Sequence, residues 1–312
     1  MSHHQEDEAC IGLPLVKVHQ VASTAEQQDA VAQQDEYRWA KRILGVPAAW
    51  SQTRGEGVKV AVLDTGVDPD HPDLASGITA MEDFTGDGIE DVNGHGTHCA
   101  GIIGARENNL GFIGVAPACE LLIGKVLGNN GSGSWSGIAA GVDWAVDQGA
   151  DIISMSLGGG SSSHELFVAI HNALMRGKFV ICAAGNEGSL MTNSIGYPGR
   201  YGGVITVASH DHNGNRSGFS SKGGEIDVMA PGSNIWSTYK EGSYAELSGT
   251  SMATPFVAGL AALVTAKHIN QGGGTPLRNT EDLKNHLLWM AAHPGYHDNE
   301  TGYGPLLPFK YF

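Results

Sequence analysis

Three short stretches of the chain carry side chains suited to nucleophilic chemistry. They are Asp64-Thr65-Gly66, Asn93-Gly94-His95-Gly96-Thr97-His98 and Gly249-Thr250-Ser251-Met252-Ala253-Thr254-Pro255. Ser251 stands among small residues where a helical pattern begins, with Phe256, Val257, Leu260, Ala261 and Val264 recurring at helical spacing. A serine at a helix N-terminus sits among unpaired N–H groups and the positive end of the helix dipole. Attack on a carbonyl places negative charge on its oxygen, and such a site favours that charge. An ordinary N-cap serine would satisfy the same position, so the other two stretches decide. A hydroxyl nucleophile needs a base to take its proton and a carboxylate to orient that base. His95 opens one predicted helix, Asp64 closes a predicted strand, and glycines beside each let a substrate backbone approach. His95 and His98 are three residues apart, but the glutamate of a helix-borne zinc site does not follow the first histidine, and the metal reading is set aside.

The elements that must hold these groups can be read from hydrophobic patterning. Residues 58–63 form a near-continuous apolar run, the pattern of a buried parallel strand, and it ends at Asp64. Further strands are predicted at 121–127, 151–157, 179–184, 204–208 and 226–229. Helices are predicted at 135–148, 165–176, 251–267 and 281–290, the last capped by Thr280. This alternation predicts an α/β fold: a three-layer, doubly wound, mostly parallel sheet with helices on both faces. Ligands bind such sheets at the carboxyl ends of the strands, which is where Asp64 falls. Residues 1–36 read as an N-terminal extension, polar and acidic with an apolar island at 11–18, and residues 37–312 as one domain.

Composition narrows the partners. The chain has 312 residues and a formal net charge of -15, with acidic residues spread along its length. That balance argues against nucleic acid and anionic membranes, and favours hard cations such as Ca²⁺. Cys10, Cys99, Cys119 and Cys182 form no CxxC pair and read as reduced thiols. No basic n-region with an apolar h-region opens the sequence, and no apolar run is read as long enough to cross a membrane. A cytoplasmic location is expected, with secretion left open.

Taken in order, the Asp64, His95 and Ser251 stretches resemble the signatures of the subtilisin-like serine peptidases, and the resemblance covers residues 37–307. Residues 151–159 and 244–250 resemble the intracellular subtilisins of bacteria. The resemblance implies Ser251 as nucleophile, His95 as general acid and base, Asp64 as the group orienting His95, and Asn186 as an oxyanion-hole donor. It implies a substrate bound as an extended strand between Ser132-Gly133 and Ser156-Leu157-Gly158. The S1 pocket would be walled by Ser156 to Gly158 and by Ala183 to Gly185, with Glu187 and Gly196 toward its base. Small walls imply a large apolar P1 side chain, and Glu187 leaves a basic one open. Trp135 matches an aromatic lining S4, with core packing as the alternative.

For calcium, the resemblance implies Asp73, the Asn108 side chain, carbonyls of Arg106, Leu110 and Phe112, and Asp35 from the N-terminal segment. Carbonyls of Gly199, Tyr201 and Val204 are implied for a weaker cation. Cys99 after His98 resembles the proteinase K branch. Residues 13–18 are expected to act like the short inhibitory extension of intracellular relatives, with Pro14 holding the bound strand out of cleavage register. The expected activity is broad-specificity endoproteolysis of peptides or unfolded proteins through an acyl-enzyme on Ser251. A homodimer is an expectation by analogy. Two rivals stay open: a non-catalytic binding or regulatory protein on a peptidase scaffold, and a triad esterase or amidase.

Overall fold

The computed structural model describes residues 8–10, 15–17, 45–188, 191–270, 277 and 279–312. Two short strands of the extension come first, β1 (Glu8–Cys10) and β2 (Leu15–Lys17), followed by a one-turn helix α1 (Val46–Ala49). The main sheet is built from β3 (Lys59–Asp64), β4 (Ile78–Asp83), β5 (Glu120–Lys125), β7 (Ile152–Met155), β8 (Phe179–Ala183), β9 (Ile205–His210) and β10 (Val228–Pro231). Its seven strands lie in the order β10-β9-β8-β7-β3-β5-β4, and every neighbouring pair is parallel. Strand β6 (Ser132–Ser134) stands apart from it, and β11 (Ile235–Tyr239) and β12 (Ser243–Ser248) form an antiparallel hairpin.

The central strands are apolar on both faces because helices cover both. In β3, Val60 and Val62 pack into one core cluster while Ala61 and Leu63 pack into the other, as the two-residue period of a strand requires. On the first face lie α2 (His95–Gly104), α5 (Thr250–Asn270) and α6 (Thr280–Met290); on the second lie α3 (Trp135–Asp147) and α4 (His164–Met175). This is the predicted α/β architecture, with six of the seven main-sheet strands within a few residues of their sequence reading; the edge strand β4, part exposed, was not predicted.

Two expectations are corrected. The stretch Thr250–Ile269 is long and apolar enough to span a membrane by length and composition, contrary to the sequence reading. Its most apolar window is 83% buried within the protein, because α5 is the central helix of its face and has no polar side to turn to water. The cap of α6 is Asn279, whose side chain accepts from Asp282 N, and Thr280 is the first helical residue. The boundary at 36/37 lies outside the described residues.

Candidate active site

Three adjacent strands of the sheet, β8, β7 and β3, deliver their C-terminal ends to one edge. Asp64 ends β3, Ser156 follows β7, and Asn186 follows β8. The first turns of α2 and α5 meet this edge and carry His95 and Ser251. Asp64, His95 and Ser251 are each at least 97% buried. His95 Nδ1–H donates to Asp64 Oδ1 at 2.6 Å, and Thr65 N donates to the same oxygen at 2.8 Å. That carboxylate fixes the ring's tautomer and leaves Nε2 as the free lone pair, with no hydrogen-bond partner among the described residues. Burial alone would lower the basicity of His95, but the Asp64 charge outweighs it and holds its pKa well above 6.5.

Ser251 is held by its main chain. Pro255 lies inside α5 and has no N–H, so the carbonyl four residues earlier, that of Ser251, receives no helical hydrogen bond from it. Ser156 Oγ–H donates to this carbonyl at 2.9 Å and the Cys99 thiol at 3.4 Å. In return Ser251 Oγ–H donates to the Ser156 carbonyl at 3.2 Å. The reciprocal pair ties the end of β7 to the start of α5. Cys99 lies between the histidine and the serine, with Sγ 3.8 Å from His95 Nδ1. Burial pushes this thiol's pKa up, so it stays a neutral donor. Ligand atoms of Asp64, His95 and Cys99 lie within 4.8 Å of one another.

Asn186 Oδ1 accepts from Thr250 N at 2.9 Å and from Thr250 Oγ1 at 3.1 Å. Because a backbone N–H can only donate, the oxygen must face Thr250, and the amide Nδ2 is the end turned away from it. Thr250, adjacent to Ser251, was not singled out in the sequence; its place before the serine is the only signal for this role. Gly185 supplies the turn into Asn186 with φ 110°, and a Cβ there would meet Glu187 Oε2.

A cavity of about 170 Å³ opens beside Ser251. Ser156, Leu157 and Gly158 line one wall, Ala183, Gly185 and Asn186 another, and Glu187 and Gly196 complete the predicted set. Met191, Asn193 and Arg200 line it too and were missed, since they lie in a loop without a periodic pattern. Glu187 Oε2 accepts from Ser221 Oγ at 2.6 Å, which draws its carboxylate toward Ser221. Ser132 and Gly133 line a separate depression with Asp87 and Asn129. Trp135 is 8% exposed, packs in the core face of α3, and borders a third depression with Ser162 to Glu165. Ser132 to Ser134 pair antiparallel with the extension, Ala9 opposite Gly133 and Cys10 opposite Ser132. The strand leading to Ser251 is also paired, Leu15 opposite Ser248 and Val16 opposite Leu247. Of the stretch expected to inhibit, Leu13, Pro14 and Val18 lie outside the described residues.

His98 is engaged by the β11–β12 hairpin rather than by Asp64 or Ser251. Its Nε2–H donates to the carbonyls of Ile235 and Ala245 at 3.0 and 3.1 Å, and burial lowers its pKa to about 3. It is a neutral tether between α2 and the β11–β12 hairpin.

Asp73 is fully buried, and among the described residues it has no ion-pair partner. Its Oδ2 accepts from Phe112 N at 2.9 Å and Tyr244 Oη–H at 2.7 Å, and its Oδ1 from Asn108 Nδ2 at 3.1 Å. Asn108 Oδ1 in turn accepts from Leu110 N, and Arg106 N donates to the Asp73 carbonyl at 2.8 Å. A buried carboxylate met only by neutral donors is the kind of ligand a hard cation takes, although Asn108 turns its Nδ2 rather than its expected oxygen toward it. Asp35 lies outside the described residues. The Gly199 carbonyl accepts from Thr206 Oγ1 at 2.6 Å.

Residues 55–304 match the subtilase family. The chain belongs to the subtilase family. It is 50% identical over 230 residues to an intracellular serine protease of Paenibacillus polymyxa, covering 71% of each chain. It is 48% identical over 233 residues to thermitase of Thermoactinomyces vulgaris, covering 74% of this chain and 82% of thermitase. The same identity over 233 residues relates it to the major intracellular serine protease of Bacillus subtilis (strain 168), covering 72% and 73%. This subtilase is a subtilisin-like serine endopeptidase of broad specificity acting on peptide or protein substrates. Calcium binding is general in the family.

Proposed function

We propose that this subtilase cleaves peptide bonds through an acyl-enzyme on Ser251. The observation that carries the assignment is the 2.6 Å contact between buried Asp64 and His95 beside a buried helix-opening serine. The Ser251 hydroxyl turns from the Ser156 carbonyl to His95 Nε2, gives up its proton there and attacks the scissile carbonyl. His95 passes that proton to the leaving amine, then takes one from the water that hydrolyses the ester. Charge on the carbonyl oxygen is met by Asn186 Nδ2 and the Ser251 N–H. The Ser156–Gly158 and Ala183–Gly185 walls receive a large apolar P1 side chain.

Calcium would be held by Asp73, Asn108 and carbonyls of the 106–112 loop, with Asp35 from the N-terminal segment, and would supply the charge that Asp73 lacks. The location is cytoplasmic, as the names of the two intracellular relatives suggest. Residues 1–36 form an extension that competes with substrate. The edge pairing of Glu8–Cys10 with Ser132–Ser134, the segment expected to hold substrate backbone, supports this.

Hydrolysis of a denatured protein by the full chain and by a chain beginning at Tyr37 tests both readings. Cleavage by both, faster without the extension, is expected. Equal rates would remove the inhibitory reading alone; cleavage by neither, with calcium present, would remove the peptidase assignment.

A further inference from the structure

Asp91 touches neither the cavity beside Ser251 nor the imidazole, yet it joins the two elements that carry Asp64 and His95. It is 5% exposed, and four donors converge on its carboxylate. Oδ1 accepts from Thr65 Oγ1 at 2.8 Å and from Gly94 N at 2.8 Å. Oδ2 accepts from Thr97 N at 2.8 Å and from Thr97 Oγ1 at 2.7 Å. Thr65 Oγ1 accepts from Gly96 N at 2.8 Å, and its main-chain N donates to Asp64 Oδ1. The Thr65 carbonyl is held as well, by the ammonium of fully buried Lys125 at 2.7 Å.

The start of α2 explains why this network exists. The residue at its N-cap is Gly94, with φ 98° and no side chain to cap with; a Cβ there would run into the Tyr239 ring. The first-turn N–H groups must therefore be satisfied from elsewhere. Asp91 takes those of Gly94 and Thr97, and Thr65 takes that of Gly96. One carboxylate thus caps the helix bearing His95 and grips the residue next to Asp64, with its charge at the positive end of the helix.

We propose that Asp91 is a positioning residue for turnover, which holds the Asp64–His95 pair at hydrogen-bonding distance by clamping Thr65 and the first turn of α2 together. The inference rests on the roles proposed above for Asp64 and His95. Asparagine cannot replace it. Each oxygen faces one backbone N–H that can only donate, so whichever way the amide turns, its NH₂ meets Gly94 N or Thr97 N. Thr65→Val removes the other half of the clamp at nearly constant volume.

Turnover of a chromogenic peptide by the full chain, by Asp91→Asn, by Thr65→Val and by the double variant tests the proposal, with circular dichroism reporting folding. Asp91→Asn is expected to lower kcat by about 10²-fold while KM stays within about twofold, as for a small misplacement of reacting groups. The double variant should lose little more than Asp91→Asn alone, because both changes open one clamp. If Asp91→Asn does not fold, the same kcat-only loss in Thr65→Val carries the test. A folded Asp91→Asn with kcat within about twofold of the unchanged chain, or a lower melting temperature with kcat intact, would overturn the proposal. So would losses that multiply in the double variant. His95→Ala separates the two levels: if it retained full turnover, the roles of Asp64 and His95 would fall first, and the clamp with them.

Discussion

At the scale of single residues, the site is set by what each group is denied. Pro255 denies Ser251 its helical hydrogen bond, and the freed carbonyl becomes the anchor for Ser156 and Cys99. Burial denies His95 water, leaving Asp64 as the charge that decides its protonation. The reaction needs neutral His95, and the Asp64 contact raises the pKa above the ordinary 6.5. Activity is therefore absent where His95 is protonated and rises with pH through a midpoint above 6.5. A pH profile of kcat/KM for a neutral peptide checks this; a midpoint below 6.5 would contradict the geometry. The same pair has the opposite sign for stability, since a raised histidine pKa stabilises the fold at low pH and that contribution is lost as pH rises through the folded value. The chemistry-bearing residues were legible in the sequence because each sits in a short motif beside glycine. Asp91 and Thr250 were not, because their roles depend on partners 26 and 64 residues away.

At the scale of elements, six strands of the main sheet were legible because burial on both faces writes a continuous apolar run, whereas the edge strand β4, part exposed, writes none. The β11–β12 hairpin and β6 were not: they lie outside that sheet and mix polar with apolar residues. Trp135 shows the limit at a boundary. Its side chain serves the buried face of α3, and its exposed fraction borders a depression apart from the one beside Ser251. The loop from Arg106 to Phe112 folds around Asp73 and makes the element-scale prediction. Bound calcium would stabilise the folded chain only, so chelation should lower the melting temperature by roughly 5–10 °C, and added calcium should restore it. Asp73→Asn should remove the response. An unchanged melting temperature in chelator would count against calcium at this loop.

At the scale of the whole molecule, one side of the sheet carries the site and the rest of the fold holds its parts in register. Strands β8, β7 and β3 bring Asn186, Ser156 and Asp64 side by side, and two helices on one face bring His95 and Ser251 to them. The site therefore draws together residues from 64 to 251 that are far apart in the chain and meet only through the fold. The extension adds strands to both flanks of that edge, one at Ser132–Ser134 and one at the strand entering Ser251. Its apolar island was legible as a segment that docks, but its partners were not, because sheet-edge pairing uses main-chain groups and leaves little trace in side-chain pattern. The central claim is that Ser251 is an activated nucleophile. Intact-mass analysis after treatment with a fluorophosphonate, on a chain beginning at Tyr37 and on the same chain carrying Ser251→Ala, tests it most directly. One adduct per chain, absent from Ser251→Ala, is the predicted result. No adduct with calcium present, or an adduct that persists in Ser251→Ala, would contradict it.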